Sequence, residues 1–354
     1  MSIQGEQKVT GEKEYRELMI DSSSSLKDFS FNRKQYYKKY IANEPEEEKD
    51  TQAILTGKLV ETLLWEEDKF DEKFYISAIK EPPSGMMANF VEALYEATIA
   101  CTNEDGEITR DFESLSTEAY EKSGYKLPYK TIIGKFVGSD DEIYYNEIRN
   151  IRPKKLSTVT VQDVENAERI VQELRTNPIT KDIVNLVSDE RYTVLNQYSV
   201  EGYIIDEHPF KSLLDFIVID HEKRTVQIYD LKVVWAVEEF YREYFLKRRA
   251  YIQGYLYYRA MEELSYLEDS GFYDYEILPP KFIVSDSINY YSPLIYKMTK
   301  EDLMEAYNGF EYKGWAYPGV KSIIEELKWC LEFNIWNISK ANYESNGVVN
   351  LKSL

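Results

Sequence analysis

The stretch Lys211–Lys232, KSLLDFIVIDHEKRTVQIYDLK, decides the fold. Two runs rich in alternating, β-branched and aromatic residues, Ser212–Asp220 and Thr225–Leu231, flank a short polar segment. A third, Tyr192–Ile205, precedes them, and together they predict a three-stranded antiparallel meander. Period two puts Val226, Ile228, Asp230 and Lys232 on one face of the last strand. With a turn at His221–Arg224, Asp220 pairs with Thr225 and Asp215 falls opposite Asp230. Opposed carboxylates repel unless a cation lies between them. Asp215, Asp230 and the Leu231 carbonyl therefore compose a plausible oxygen cage for Mg²⁺, with Mn²⁺ as a substitute. Lys232 beside it would hold or deprotonate a water for attack on a phosphodiester. The plainer alternative is two acids at strand ends and a solvated edge lysine.

Outward from this stretch, composition narrows the chemistry. The chain has 354 residues and 43% hydrophobic composition, enough to bury a large core. It has no apolar run near the roughly 20 residues of a membrane span and no basic-then-apolar start, so a soluble, cytoplasmic protein is expected. Two cysteines, Cys101 and Cys330, and two histidines exclude four-cysteine zinc, iron–sulfur and His-rich centres, so any metal must rest on carboxylates. The formal charge of −20 means that nucleic-acid binding requires a local basic patch. The 31 tyrosines serve mainly as core and core-edge rings. His208 and His221 read as surface residues of turns.

Along the rest of the chain, a polar leader over 1–21 gives way to Ser22–Ser25, which cap a helix predicted to run to about Ile41. Glu44–Asp50 is a charged loop. Leu55, Leu59, Val60, Leu63 and Leu64 recur at helical spacing over Thr51–Trp65. Helices are predicted near 87–101, 114–123 and 161–175, with a largely helical insertion over 79–190. After the meander come a long helix, Ala236–Leu267, strands at Lys281–Ser285 and Leu294–Met298, and a C-terminal helix at Val320–Asn334. The fold class is α/β: a mixed central sheet flanked by helices with a helical N-terminal elaboration, the main domain over 22–300 and an extension over 301–354.

Four segments together resemble the RecB-like branch of the PD-(D/E)xK nucleases, with their restriction-endonuclease-like core, and most closely the phage and prophage exonuclease VIII family. Lys211-Ser212-Leu213-Leu214-Asp215 is similar to the strand that carries a basic residue shortly before the first metal-binding Asp. Tyr229-Asp230-Leu231-Lys232 is similar to the Asp-x-Lys element. Gln253 and Tyr257 resemble the Gln-x-x-x-Tyr signature, with Arg249 four residues earlier as in exonuclease VIII relatives. Gly57-Lys58-Leu59-Val60-Glu61 resembles the Gly-x-x-x-His helix with Glu61 at the His position, where it would offer a harder, anionic oxygen to Mg²⁺ or Mn²⁺. Val233-Val234 follows Lys232 where relatives often carry Thr.

Helical spacing also puts Arg242, Leu246, Arg249, Gln253 and Tyr257 on one face, which with Lys247 and Arg248 is the local basic patch. Gln197 matches a Glu or Gln that relatives place before the first Asp. The resemblance implies a 5′ to 3′ DNA exonuclease of phage-type recombination, a single-strand annealing partner and a homo-oligomeric ring. A ring would reconcile an acidic surface with a basic channel. Two other readings are an endonuclease or CRISPR-adaptation-like nuclease of the same superfamily, and an inactive fold acting as a binding or decoy module.

Overall fold

A computed structural model describes Tyr15 and residues 18–44, 51–79 and 81–349. Most of the polar leader, residues 45–50 of the charged loop and the last five residues lie outside the described residues. The chain runs through helices α1 (Ser23–Phe31) and α2 (Gln52–Trp65), strand β1 (Phe74–Ile76), and helices α3 (Gly85–Ala100), α4 (Phe112–Ser123), α5 (Tyr129–Phe136) and α6 (Asp140–Lys154). Strand β2 (Ser157–Val159) and helix α7 (Val161–Thr176) lead to β3 (Tyr192–Ile205), β4 (His208–Asp220), β5 (Thr225–Val234) and α8 (Ala250–Ser265). Then follow β6 (Glu276–Asp286), β7 (Leu294–Lys297), α9 (Lys300–Asn308), β8 (Phe310–Tyr312), β9 (Trp315–Tyr317) and α10 (Val320–Phe333). No described helix is long and apolar enough to cross a membrane.

The chain divides into two compact units. One comprises the described residues up to Ala53 and from Ile170 onward; the other is Ile54–Arg169. The second unit is helical around Phe90, Leu94, Leu115, Ile132, Phe136 and Ile148, with one short parallel strand pair, Phe74–Ile76 against Ser157–Val159. The buried Glu147 carboxylate accepts hydrogen bonds from Ser77 Oγ (2.7 Å) and the Ala78 N–H (2.7 Å), satisfying a charge that would be costly alone.

The first unit is built on a five-stranded mixed sheet in the order β3-β4-β5-β6-β7, flanked by helices. The α/β architecture expected from alternation is the one observed. The meander turns at His221–Arg224 with Arg224 left-handed (φ 54°), and Asp220 pairs with Thr225. Strands β5 and β6 are parallel, which requires a crossover, and α8 supplies it. Ile217, Ile219, Val226 and Ile228 line the sheet face that packs with Ile252, Leu256, Ala260, Met261 and Leu264 of α8. Gly254 allows that approach, because a Cβ there would fall within 3.3 Å of the Phe282 ring and closer still to Met298 Sδ.

Two expected helices differ from prediction. The N-terminal helix stops at Asn32 (φ −153°), whose side chain caps the next turn, Arg33–Tyr36. The long helix over Ala236–Leu267 is broken into a 3₁₀ turn at Val237–Glu239, a π-helical stretch at Tyr241–Leu246, and α8. The break is at Arg249, which is left-handed (φ 55°) and cannot continue a right-handed helix. Packing explains the upstream distortion: Phe240 and Phe245 both sit on Phe282, with centroids 5.2 and 6.1 Å apart.

Candidate active site

Strands β4 and β5 stay paired from Asp220–Thr225 to Phe216–Tyr229 and then part. The next positions are Asp215 and Asp230, on the α8 side of the sheet with Ile217 and Ile228. In place of a strand partner, Asp215 Oδ2 accepts the Leu231 N–H at 3.2 Å. Asp230 is 1% exposed, a depth at which a carboxylate needs compensation. Gln253 Nε2 donates to its Oδ1 at 2.8 Å and also to the Tyr257 hydroxyl at 2.9 Å. Lys232 Nζ lies 2.5 Å from Asp230 Oδ2, an ion pair approached outside hydrogen-bond directions, so that oxygen is buried without a hydrogen-bond partner. The same ammonium is 3.5 Å from the Leu231 carbonyl.

These groups fit a hard divalent cation. Two carboxylates, one with a buried oxygen that an ammonium approaches outside hydrogen-bond directions, stand beside a main-chain carbonyl, which is the oxygen donor set Mg²⁺ favours. Among the described residues no three His, Cys, Asp or Glu side chains form a metal-holding group; Mg²⁺ held by one or two carboxylates ordinarily keeps several waters. Burial, followed by the negative charges of Asp215 and Asp230, raises the Tyr257 phenol well above its ordinary range, so it stays neutral.

Lys27 on α1 is a neighbour that sequence reasoning missed. Burial first, then the Lys232 ammonium, lowers its pKa from 10.5 to about 8, opposed by Asp230 and Asp28. The sign is opposite to that of a salt-bridged lysine. Between about pH 8 and 10.5 the unfolded chain binds more protons at this site, so stability rises with pH there and the cost is fully present below pH 8. Lys27→Met is expected to unfold at a higher temperature than wild type at pH 7 in EDTA, with the difference closing by pH 10. A constant difference would remove the assignment.

The other predicted residues are placed less uniformly. Gln197 lies between Asn196, paired with Phe216, and Tyr198, paired with Leu214, and so stands opposite Asp215. Its backbone is left-handed (φ 47°), the kind of outlier that neighbours must hold in place. Arg249 precedes the first turn of α8, its guanidinium 4.3 Å over the Phe31 ring, with one buried nitrogen lacking a hydrogen-bond partner. Burial lowers its pKa. Arg242 does not share a helical face with Gln253, because the helix is broken between them. Its guanidinium pairs with Glu239 (2.8 Å) and Glu243 (2.9 Å), and Lys247 also pairs with Glu243 (2.7 Å). The expected basic patch is thus partly neutralised. Leu246 is core.

Lys211 has a structural task not expected from the sequence: it is 7% exposed, and its ammonium donates to the carbonyls of Tyr15 (2.7 Å) and Leu18 (2.8 Å). His208 is also not a free surface residue, since its Nε2 lies 2.8 Å from Asp21 Oδ2. Glu61 lies on α2 in the second unit, partly exposed.

No family model matches the chain, and no curated protein matches it. Among solved structures, the chain is similar to a Eubacterium rectale protein provisionally described as an exonuclease. The two are 13% identical, with 98% of this chain and 89% of that chain covered and a TM-score of 0.48.

Proposed function

We propose that the chain is a metal-dependent nuclease that hydrolyses DNA phosphodiesters at Asp215, Asp230 and Lys232. The observation that carries this reading is the gathering, on one sheet face, of Asp215, a buried Asp230, the Lys232 ammonium and the amide of Gln253. A merely structural pair of acids has no need of a place where two strands separate, nor of an ammonium as the sole polar neighbour of one buried oxygen.

Asp215, Asp230 and the Leu231 carbonyl would hold Mg²⁺ or Mn²⁺, which supplies Lewis acidity toward phosphate oxygens and positive charge against the acids. Gln253 fixes the rotation of the Asp230 carboxylate. The neutral Tyr257 hydroxyl accepts from the same amide and keeps it aimed. Lys232, 25% exposed at its side chain, can turn from Asp230 toward a water or a phosphate oxygen and hold it as an ammonium; to take a proton from that water it must first release one of its own to solvent. Arg249 would reach a phosphate of the flanking backbone by turning from the Phe31 ring, because its unpartnered nitrogen is buried where it now lies.

The finer reading, end resection with 5′ to 3′ polarity in phage-type recombination by a ring-forming homo-oligomer with an annealing partner, rests on the resemblance of ordered motifs. The test is digestion of linear, end-blocked and covalently closed circular duplex DNA in Mg²⁺. The exonuclease reading requires loss of the linear form alone; cleavage of closed circles makes the enzyme an endonuclease.

Gln253→Leu removes the amide but leaves both carboxylates and Lys232. Because residues that orient a metal's ligands typically contribute 10- to 100-fold, cleavage should fall by about that factor and the Mg²⁺ midpoint should rise. An unchanged midpoint would deny Gln253 this orienting part.

A further inference from the structure

Beyond Lys232, strands β5 and β6 remain paired in parallel, Lys232 with Val284 and Val234 with Asp286. The loop that leaves β6, Ser287–Pro293, is therefore rooted two residues past the lysine, at the same end of the sheet. It is unusually well built for a loop. Asp286, 2% exposed, accepts through Oδ1 the N–H groups of Ile288 (2.8 Å), Asn289 (2.5 Å) and Tyr290 (3.2 Å). Ser287 donates its N–H (2.7 Å) and its hydroxyl (3.0 Å) to the Val234 carbonyl. Asn289 Nδ2 reaches the Trp235 carbonyl at 3.5 Å, which joins the loop to the residue following β5.

This scaffold holds large apolar side chains in water. Trp235 is 48% exposed, Ile288 63% and Tyr291 64%. A single exposed ring needs no explanation, but a loop fixed by one buried carboxylate that presents several does. A backbone held in place before binding loses little conformational entropy when a flat ligand stacks on the rings it carries.

We propose that Trp235, Ile288 and Tyr291 form a stacking platform for unpaired nucleotides flanking the bond cut at Asp215, Asp230 and Lys232. The proposal deepens the nuclease reading and rests on it for the identity of the ligand. A phosphodiester that reaches Lys232 carries its neighbouring nucleotides past the adjoining ends of β5 and β6, where the platform stands. Base faces are open to an indole or phenol ring only when the bases are unpaired and unstacked, so the occupant is a single-stranded segment rather than a duplex.

The test uses full-length Asp230→Asn protein in EDTA, so that no strand is cut, and fluorescence anisotropy of a labelled single-stranded 12-mer. A second 12-mer of abasic residues and a blunt duplex serve as probes without open base faces. Adding Trp235→Ala and Tyr291→Ala is expected to weaken binding of the base-bearing 12-mer on the order of 10-fold or more and to leave the abasic and duplex probes unchanged. Trp235→Phe with Tyr291→Phe should restore most of the affinity. Equal losses for the abasic probe, or no loss for the base-bearing one, overturn the platform. Wild-type cleavage in Mg²⁺, assayed alongside, separates the two readings: cutting with ring-independent binding defeats the platform alone. Ring-dependent binding without any cutting leaves the platform and removes the nuclease.

Discussion

Lys232→Ala is expected to lose DNA cleavage by roughly 10²- to 10⁴-fold, the range in which a positioned acid–base group contributes to a transition state. The same substitution should have a second signature in stability. Without metal, Lys232 is the cation paired with the buried Asp230, and its removal leaves that carboxylate with the Gln253 amide and the charge of Lys27. Breaking a fully buried pair costs about 3–5 kcal/mol, and because this ammonium is partly in water the loss should be about 1–3 kcal/mol. In EDTA the variant should therefore unfold below wild type, and in saturating Mg²⁺ the gap should narrow, because the bound ion supplies the missing positive charge. Loss of cleavage with an unchanged gap would mean that no cation reaches Asp230.

The second large effect is the linkage between metal and folding. An ion that binds the native site but not the unfolded chain stabilises by about 2.7 kcal/mol at a hundred times its dissociation constant. For the sheet-containing unit this corresponds to roughly 5–10 °C in its unfolding transition. Asp215→Asn and Asp230→Asn should each abolish most of that increment; in EDTA the first only removes a like charge from Asp230, whereas the second also breaks the ion pair with Lys232. Differential scanning calorimetry with Mg²⁺ titrated over wild type and both variants measures it. Equal increments in all three would place the ion elsewhere.

Much of this site was legible in the sequence because its causes are local. Alternation in Ser212–Asp220 and Thr225–Leu231 fixes which side chains share a face, and the polar His221–Arg224 fixes the register, so the placement of Asp215 opposite Asp230 follows from counting. The spacing of four that puts Gln253 and Tyr257 together is a property of any helix. What was not legible depends on distant partners. Tyr241–Arg249 reads as good helix former throughout, and nothing local marks Arg249 as left-handed; the break comes with rings packed on Phe282 of a later strand.

Lys211 looked like a substrate cation because it precedes an Asp, but alternation cannot show that carbonyls nearly two hundred residues earlier cap its ammonium. Lys27 is hidden for the converse reason: in sequence it is a lysine on an amphipathic helix, and only the fold sets it beside Lys232 and Asp230. The left-handed Gln197 belongs to the same class, as a strain that strand patterning does not encode.

If Asp215, Asp230 and Lys232 constitute a metal-dependent hydrolytic centre, the protein degrades DNA only with the ion present and Asp230 intact. The most direct test is the release of acid-soluble nucleotides from uniformly labelled linear duplex DNA by the full-length protein. Release is expected in Mg²⁺, none when the ion is chelated, and none above background from Asp230→Asn in Mg²⁺. Release that persists in chelator, or that Asp230→Asn performs as well as wild type, would contradict the assignment.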